Sequence, residues 1–238
     1  MDDTVFRVGS VSKTFSNFRA LSDVSLSIRK GESRAIIGPN GAGKTTFVNV
    51  VSGVMRPTTG QIFLDGKDIT RLSPQRRTRL GLSRTFQISS LFRGMTVSEH
   101  LKLALRGGGK DGGDEEELLR QFGLGGVADR NVETLSHGEQ RVLEIMMALG
   151  LRPRLLLLDE PTAGMSIAET NRMIELINTH IRGDISMIII EHDMSVVMRT
   201  ADRITVLAEG RVAAEGAPDA ILSNPLVREI YLGSASGY

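Results

Sequence analysis

The chain has no cysteine and no tryptophan, and only 4% of its 238 residues are aromatic. Without cysteine there is no disulfide, no thiolate metal site and no cysteine nucleophile, which fits a reducing compartment. Too few aromatics remain to build a stacking platform for single-stranded nucleic acid. An excess of one charge is also missing: Lys+Arg 29 against Asp+Glu 28 leaves +1, so no global field calls for nucleic acid. No apolar stretch approaches the ~20 residues that a spanning helix needs. The opening Met1-Asp2-Asp3-Thr4 is acidic and polar, wrong for a secretory signal. A chain soluble by itself is therefore expected, with any membrane association going through a partner. What is present is apolar material, 40% of residues, enough to core one large domain or two small ones.

The most informative segment is Gly38-Pro39-Asn40-Gly41-Ala42-Gly43-Lys44-Thr45-Thr46, a G-x-x-x-x-G-K-T pattern. It follows the apolar run Ala35-Ile36-Ile37 and precedes a helix-like stretch over 44–52, the strand–loop–helix context that the motif requires. A loop without Cβ atoms can bend tightly around anions. Its N–H groups then point inward and the following helix adds its positive end. Lys44 can reach terminal phosphates, and Thr45 can ligate Mg²⁺ through its hydroxyl. The bland alternative is a glycine turn that binds nothing; Lys44 and Thr45 in register, with these flanks, argue against it.

Along the chain, alternation predicts strands of a half-exposed antiparallel sheet at 5–15 and 24–28. A strand at 60–66 ends in the Asp65-Gly66 turn, a short helix covers 74–80 with Pro74 near its start, and another short strand covers 82–86. Residues 88–150 then read as an all-helical insertion: a helix at 96–105 with Thr96 as N-cap and Glu99 three residues on, a glycine-rich loop at 107–113, a helix at 114–122, and a third from Ser136 to about 149. Continuous apolar runs at 155–158 and 187–190 predict parallel strands buried on both faces. Helices are expected at 166–180 and after Asp193, a hairpin turning at Glu209-Gly210, and short helices at 217–222 and 225–232. Five arginines cluster in 71–84 (Arg71, Arg76, Arg77, Arg79, Arg84), and the favoured reading is a solvated helix face.

Two further segments carry chemistry. Leu155-Leu156-Leu157-Leu158-Asp159-Glu160-Pro161 puts two carboxylates at the end of a buried strand, where ligands of open α/β sheets bind. Asp159 can hold Mg²⁺ through water, and Glu160 can polarise an attacking water as general base. In Leu135-Ser136-His137-Gly138-Glu139-Gln140, Ser136 and Glu139 form a capping box for the third insertion helix. The same helix N-terminus, with the Ser136 hydroxyl and the Gly138 N–H, could also clamp a phosphate.

Taken in order, the Lys44 motif, Gln87, the segment 135–140, Asp159-Glu160 and His192 resemble the ATP-binding subunit of ABC transporters over essentially the whole chain. The resemblance implies an α/β fold: a P-loop NTPase (RecA-like) core with an antiparallel β subdomain (1–87 and 151–238) and an inserted all-helical signature subdomain (88–150), together one domain over 1–238. It implies an ATPase using ATP and Mg²⁺, two subunits packed head to tail, each ATP lying between one phosphate loop and the partner's signature element. Leu135, Ser136, His137, Gly138, Glu139 and Gln140 would then act in trans. Gln87 would sit at a hinge, contact Mg²⁺ or the attacking water and report nucleotide state to a membrane partner. His192 would contact the γ-phosphate and Glu160. Lys44 would join Glu160, His192 and Gln87 as catalytic, with Thr45, Gln87 and Asp159 around the metal. Phe15 matches the aromatic that stacks on adenine; a strand-core role and a competing Phe18 stay open. His137 replaces the commonest glycine at the variable signature position, and Ser166 stands where an aspartate is usual.

Four segments resemble the importer branch for branched-chain amino acids, urea and short amides: 84–87, 91–97, 160–165 and 224–233. That resemblance implies a second ATPase subunit, two transmembrane permeases, a solute-binding protein acting indirectly, and a place on the cytoplasmic face of the inner membrane. The short 107–113 loop leaves urea, amide or aromatic-acid relatives open. Rivals are a lipopolysaccharide-export ATPase, whose tail also ends Tyr-Leu-Gly, and a soluble ABC ATPase of iron–sulfur assembly. Glu191-His192-Asp193-Met194 favours the importer over the former.

Overall fold

The computed structural model describes residues 3–85, 91–108 and 115–233. The chain opens with the hairpin β1 (Thr4–Phe15) and β2 (Phe18–Arg29), then β3 (Ser33–Ile37) and helix α1 (Lys44–Val51). Next come β4 (Thr59–Leu64), β5 (Lys67–Asp68), α2 (Pro74–Arg79) and β6 (Leu82–Arg84). Helices α3 (Val97–Gly107), α4 (Glu115–Gln121) and α5 (His137–Gly150) follow. The alternating part is β7 (Leu155–Asp159), α6 (Ile167–His180), β8 (Ser186–Ile190), α7 (Met194–Thr200) and the hairpin β9 (Arg203–Ala208) and β10 (Arg211–Gly216). Helices α8 (Pro218–Ser223) and α9 (Pro225–Gly233) end the described chain.

Two sheets result. One is antiparallel in the order β2-β1-β4-β5; the other is β10-β9-β3-β8-β7-β6, parallel except for its β10 edge. The period of two along β7 divides its leucines between two cores. Leu155 and Leu157 face a cluster with Val8, Ile62, Phe47 and Ile188. Leu156 and Leu158 face the other side, with Leu101, Phe122, Met146, Met173 and Ile189. The large sheet is thus sandwiched between the antiparallel sheet with α1 and the layer of α3 to α6. All four leucines are fully buried; at ~1.5–3 kcal/mol each, such burial dominates the stability of this strand.

Helix ends follow their local chemistry. Thr96 and Ser136 cap α3 and α5 through complete capping boxes with Glu99 and Glu139, as their spacing predicts. Asp65 (φ 46) and Gly66 (φ 73) turn β4 into β5, and Glu209 (φ 49) and Gly210 (φ 72) turn β9 into β10. The second strand is longer than alternation predicts. It begins at Phe18 because Ala20, Leu21 and Ser22 are buried in succession, and left-handed Asp23 (φ 55) resets the register before Val24. In 82–86 the ladder stops at Arg84, and the residues after Thr85 lie outside the described ones. The 107–113 loop falls largely outside them too.

The arginine cluster is not one solvated face. Arg71, Arg76 and Arg79 are exposed, but Arg77 is fully buried. Its guanidinium donates to the carbonyls of Val50 (2.8 Å), Val51 (2.5 Å), Thr70 (2.9 Å) and Leu72 (3.1 Å). Helix α1 has no basic residue in its own last turn, so α2 supplies the cation for its carbonyl end. Burial pushes Arg77 down to about 10, which leaves it charged at neutral pH. Arg84 is also an exception, at the site itself.

Candidate active site

Parallel pairing gathers the site. Ile190 of β8 is level with Ile36 of β3 on one side and with Asp159 of β7 on the other. The segments that follow these three strands, beginning at Gly38, Glu160 and Glu191, therefore emerge along one edge of the sheet.

The loop from Gly38 to Gly43 turns β3 into α1. Gly43 is the N-cap at φ 100 and makes no side-chain cap bond. A Cβ there would lie 2.7 Å from the Ala20 carbonyl oxygen, so glycine is required both for conformation and for space. Ala42 is buried and donates its N–H to the Pro39 carbonyl at 3.2 Å. Lys44 folds back over the loop, its Nζ donating to the carbonyls of Gly38 (2.6 Å) and Pro39 (3.0 Å). Burial lowers the pKa of Lys44, and the Glu160 carboxylate opposes part of that shift. Asn40, Gly41 and Thr45 are on the outside, with Thr45 exposed in the first turn of α1 and Thr46 half-buried behind it.

Asp159 is buried, and its Oδ2 accepts from Arg84 Nη2 at 2.8 Å. The other terminal nitrogen of Arg84 reaches Asn49 Oδ1 (2.9 Å) and Ser52 Oγ (3.1 Å) on the far end of α1. Arg84 thus joins the end of β6 to α1 and to the β7 carboxylate, where composition alone suggested a surface charge. Glu160 follows at φ 50, a left-handed conformation that costs a non-glycine residue ~1–3 kcal/mol and clusters at functional sites. Its N–H is held by the Ile190 carbonyl at 2.9 Å. Glu160 Oε1 lies 2.8 Å from His192 Nε2. Both side chains reach solvent, His192 about half exposed.

On the other side of the chain, Ser136 Oγ accepts from the Glu139 N–H at 3.2 Å, and Glu139 Oε2 accepts from the Ser136 N–H at 2.8 Å. Ser136 and His137 are exposed, while Leu135 and Gly138 are buried. Gln140 turns back, donating to the Val132 carbonyl at 3.0 Å. Ser166, where an aspartate was expected, is the N-cap of α6 in a capping box with Glu169. Phe15 and Phe18 face each other across the tip of the first hairpin and are both exposed, which removes the strand-core reading of Phe15. Lys13 Nζ sits 5.0 Å from the Phe15 ring centre. Gln87 lies outside the described residues.

Residues 38–46, 159–160 and 192 therefore share one edge, and the 135–140 element, at the start of α5, lies against the turn after Glu160 and the first turn of α6, lining one hollow with Met165 and Glu169. Sequence reasoning missed Arg84, Glu191 and Thr162. A carboxylate directly after the apolar run 187–190 was the available signal for Glu191; Arg84 follows a polar Ser83 and gives no such signal. A cavity of about 500 Å³ lies at the opposite end of the strands, lined by Asp3, Lys30, Asp65 and Arg154.

Residues 21–163 match the family described as ABC transporter, and residues 211–236 match one described as branched-chain amino acid ATP-binding cassette transporter. The chain is 37% identical to a probable branched-chain amino acid transport ATP-binding protein LivG of Archaeoglobus fulgidus, covering 97% of this chain and 96% of that protein. It is 38% identical to the high-affinity branched-chain amino acid transport ATP-binding protein LivG of Salmonella typhimurium, over 99% of this chain and 100% of the relative. Among solved structures, the ADP conformation of an ATP-binding cassette of an ABC transporter superposes with a TM-score of 0.86 at 32% identity, covering 97% and 99% of the two chains. A dimeric cassette in a post-hydrolysis state, bound to ADP and phosphate, is similar at a TM-score of 0.77 and 26% identity, covering 90% and 98%.

Proposed function

Because the chain belongs to the ABC transporter ATP-binding family, we propose that it hydrolyses ATP to drive an importer of branched-chain amino acids. The observation that carries the chemistry is the convergence of the phosphate loop, Asp159-Glu160 and His192 on one sheet edge, with Glu160 and His192 in contact at 2.8 Å. The cargo assignment rests on the relatives and on the 211–236 match, which favour amino acids over urea or amides and over the lipopolysaccharide and iron–sulfur alternatives.

In this reading Gly38, Pro39, Asn40, Gly41, Ala42, Gly43 and Thr46 wrap the phosphates with backbone groups, and the uncapped N-terminus of α1 adds its positive end. Lys44 exchanges its two carbonyl partners for phosphate oxygens, so that both partners of the contact are charged. Phe15 offers its exposed ring to adenine. Glu160 takes the proton of the attacking water, and His192 holds that carboxylate and the γ-phosphate in register. Little covalent work falls to the protein; positioning and charge stabilisation dominate.

The residues fit Mg²⁺. Among the described residues no three His, Cys, Asp or Glu side chains converge as a self-sufficient metal cage. A hydroxyl, Thr45, and a carboxylate, Asp159, are the hard oxygen donors that suit an ion completed by phosphates and water. When bound, the ion would neutralise developing charge on the phosphates. Arg84 keeps Asp159 fixed in place for it.

The partner arrangement extends this reading. A second ATPase subunit would cover the phosphate loop, presenting Leu135, Ser136, His137, Gly138, Glu139 and Gln140 to the ATP of its neighbour. The cassette would work as one domain, with 88–150 as the moving helical part and Gln87 at the hinge. A groove of about 280 Å³ between β6, α3 and α5, lined by Thr85, Leu103, Met147 and Leu151, is a surface on which a permease could seat. Among the described residues no helix is long and apolar enough to cross a membrane. Two permeases and, through them, a solute-binding protein would hold the chain at the cytoplasmic face. The test is to capture tagged Glu160→Gln protein with ATP from gently solubilised membranes. Co-purification of two multi-span proteins and a second ATPase is expected. Recovery from the soluble fraction alone, or with envelope-export partners, would refute the importer assignment.

A further inference from the structure

Two carboxylates follow buried strands at this edge, Glu160 after β7 and Glu191 after β8, and the proposed reaction uses only the first. Glu191 is 4% exposed and forms no salt bridge among the described residues. A buried carboxylate without a cation must be held by hydrogen-bond donors. It is: Oε1 accepts from both the N–H (3.1 Å) and the hydroxyl (2.6 Å) of Thr162, and Oε2 accepts from the N–H of His192 (3.2 Å). We infer that Glu191 is a positioning residue, whose one carboxylate fastens the turn carrying the base to the loop carrying the histidine and so sets the Glu160–His192 contact.

Three geometric facts support this. Glu160 and Thr162 belong to one tight turn, in which Ala163 N–H donates to the Glu160 carbonyl (3.2 Å) and Met165 N–H to that of Thr162 (3.2 Å). Glu160 is itself in a left-handed conformation (φ 50), so its side-chain direction depends on what holds the turn. The clamp grips the residue two after the base and the backbone of the other member of the pair, His192. All three partners are donors, which suits a carboxylate and no other side chain at this position. A glutamine would keep one accepting arm and oppose a donor with the other.

The inference rests on Glu160 as base with His192 beside it. The test measures ATP turnover and ATP affinity of the full chain carrying Glu191→Ala, Glu191→Gln or Thr162→Val, each also in a His192→Ala background. Glu191→Ala should lower kcat about 10- to 100-fold, the cost of a small misplacement of a catalytic group, with ATP affinity within about 3-fold. Glu191→Gln and then Thr162→Val should show smaller losses of the same kind. In the His192→Ala background Glu191→Ala should add little, because both act through one pair, whereas a general structural defect would add in full. Unchanged kcat, full additivity, or affinity falling in step with turnover would overturn the inference. Thr162→Val, which removes one hydroxyl donor at constant shape, carries the test if Glu191→Ala does not fold. Glu160→Gln separates the two layers. If it leaves turnover intact, the base assignment fails and takes this inference with it. If it stops turnover while Glu191→Ala and Thr162→Val are neutral, only the positioning role fails.

Discussion

Helices α1 and α5 begin in opposite ways. The first starts at a glycine with φ 100 and no side-chain cap, its lysine folded onto loop carbonyls. The second starts at Ser136 with both bonds of a capping box made by its own side chains. An uncapped helix N-terminus is an incomplete structure that an anion completes. A capped one is complete without a ligand. The difference fits the proposed division: α1 binds phosphate within its own subunit, and α5 holds its shape until a partner's nucleotide arrives.

The largest expected break in this contrast is Lys44→Ala. It should weaken ATP binding about 100-fold or more, since losing one member of a buried, hydrogen-bonded charge pair costs ~2–5 kcal/mol; equilibrium binding of a fluorescent ATP analogue reads it directly. Ser136→Arg should leave that one-subunit affinity unchanged while abolishing turnover by the closed pair. Next come the glycines. Gly43→Ala meets the Ala20 carbonyl oxygen at 2.7 Å in a left-handed conformation and should cost ~1–3 kcal/mol in denaturant unfolding. Gly138→Ala meets a side-chain end, Glu169 Oε1 at 2.7 Å, and should cost ~1 kcal/mol in the same measurement, because moving that carboxylate disturbs the α6 capping box with Ser166. Ser136→Ala removes a cap and should cost ~1 kcal/mol.

The smallest effect is on pH. In the proposed site ATP binding would use protonated Lys44, and burial lowers its pKa in the free protein. Affinity should therefore decline as pH rises through that lowered value, before an ordinary lysine would titrate. Lys44→Arg should show a flat alkaline profile in the same titration, because a guanidinium keeps its proton there.

How much of this was legible in the sequence depends on whether the signal was local. The capping boxes at Thr96 and Ser136 each join residues only three positions apart, and the buried runs at 155–158 and 187–190 announce parallel strands by composition. The phosphate loop is legible because its glycines, Lys44 and Thr45 are contiguous. Arg77 and Arg84 were not, since their burial comes from carbonyls and side chains distant in the chain: Val50, Val51 and Asn49 on α1, and Asp159 on β7. Glu191 reads as a polar strand end until the fold brings Thr162 against it. Nor does a register shift show in a pattern of alternation. The buried triplet 20–22 hid the start of β2, because alternation fails where a strand bulges.

The central claim, that α1 and α5 serve different nucleotides, has a direct test by complementation. Lys44→Ala and Ser136→Arg proteins, each also carrying Glu160→Gln to slow hydrolysis, are mixed with ATP, and the nucleotide retained per dimer is measured after gel filtration. In a head-to-tail pair both lesions fall on one site and the other site is intact. The mixture should therefore retain ATP at one site per mixed dimer, while each protein alone, unable to close a pair around its nucleotide, loses it on the column. A mixture that holds no more ATP than either parent would contradict the trans arrangement.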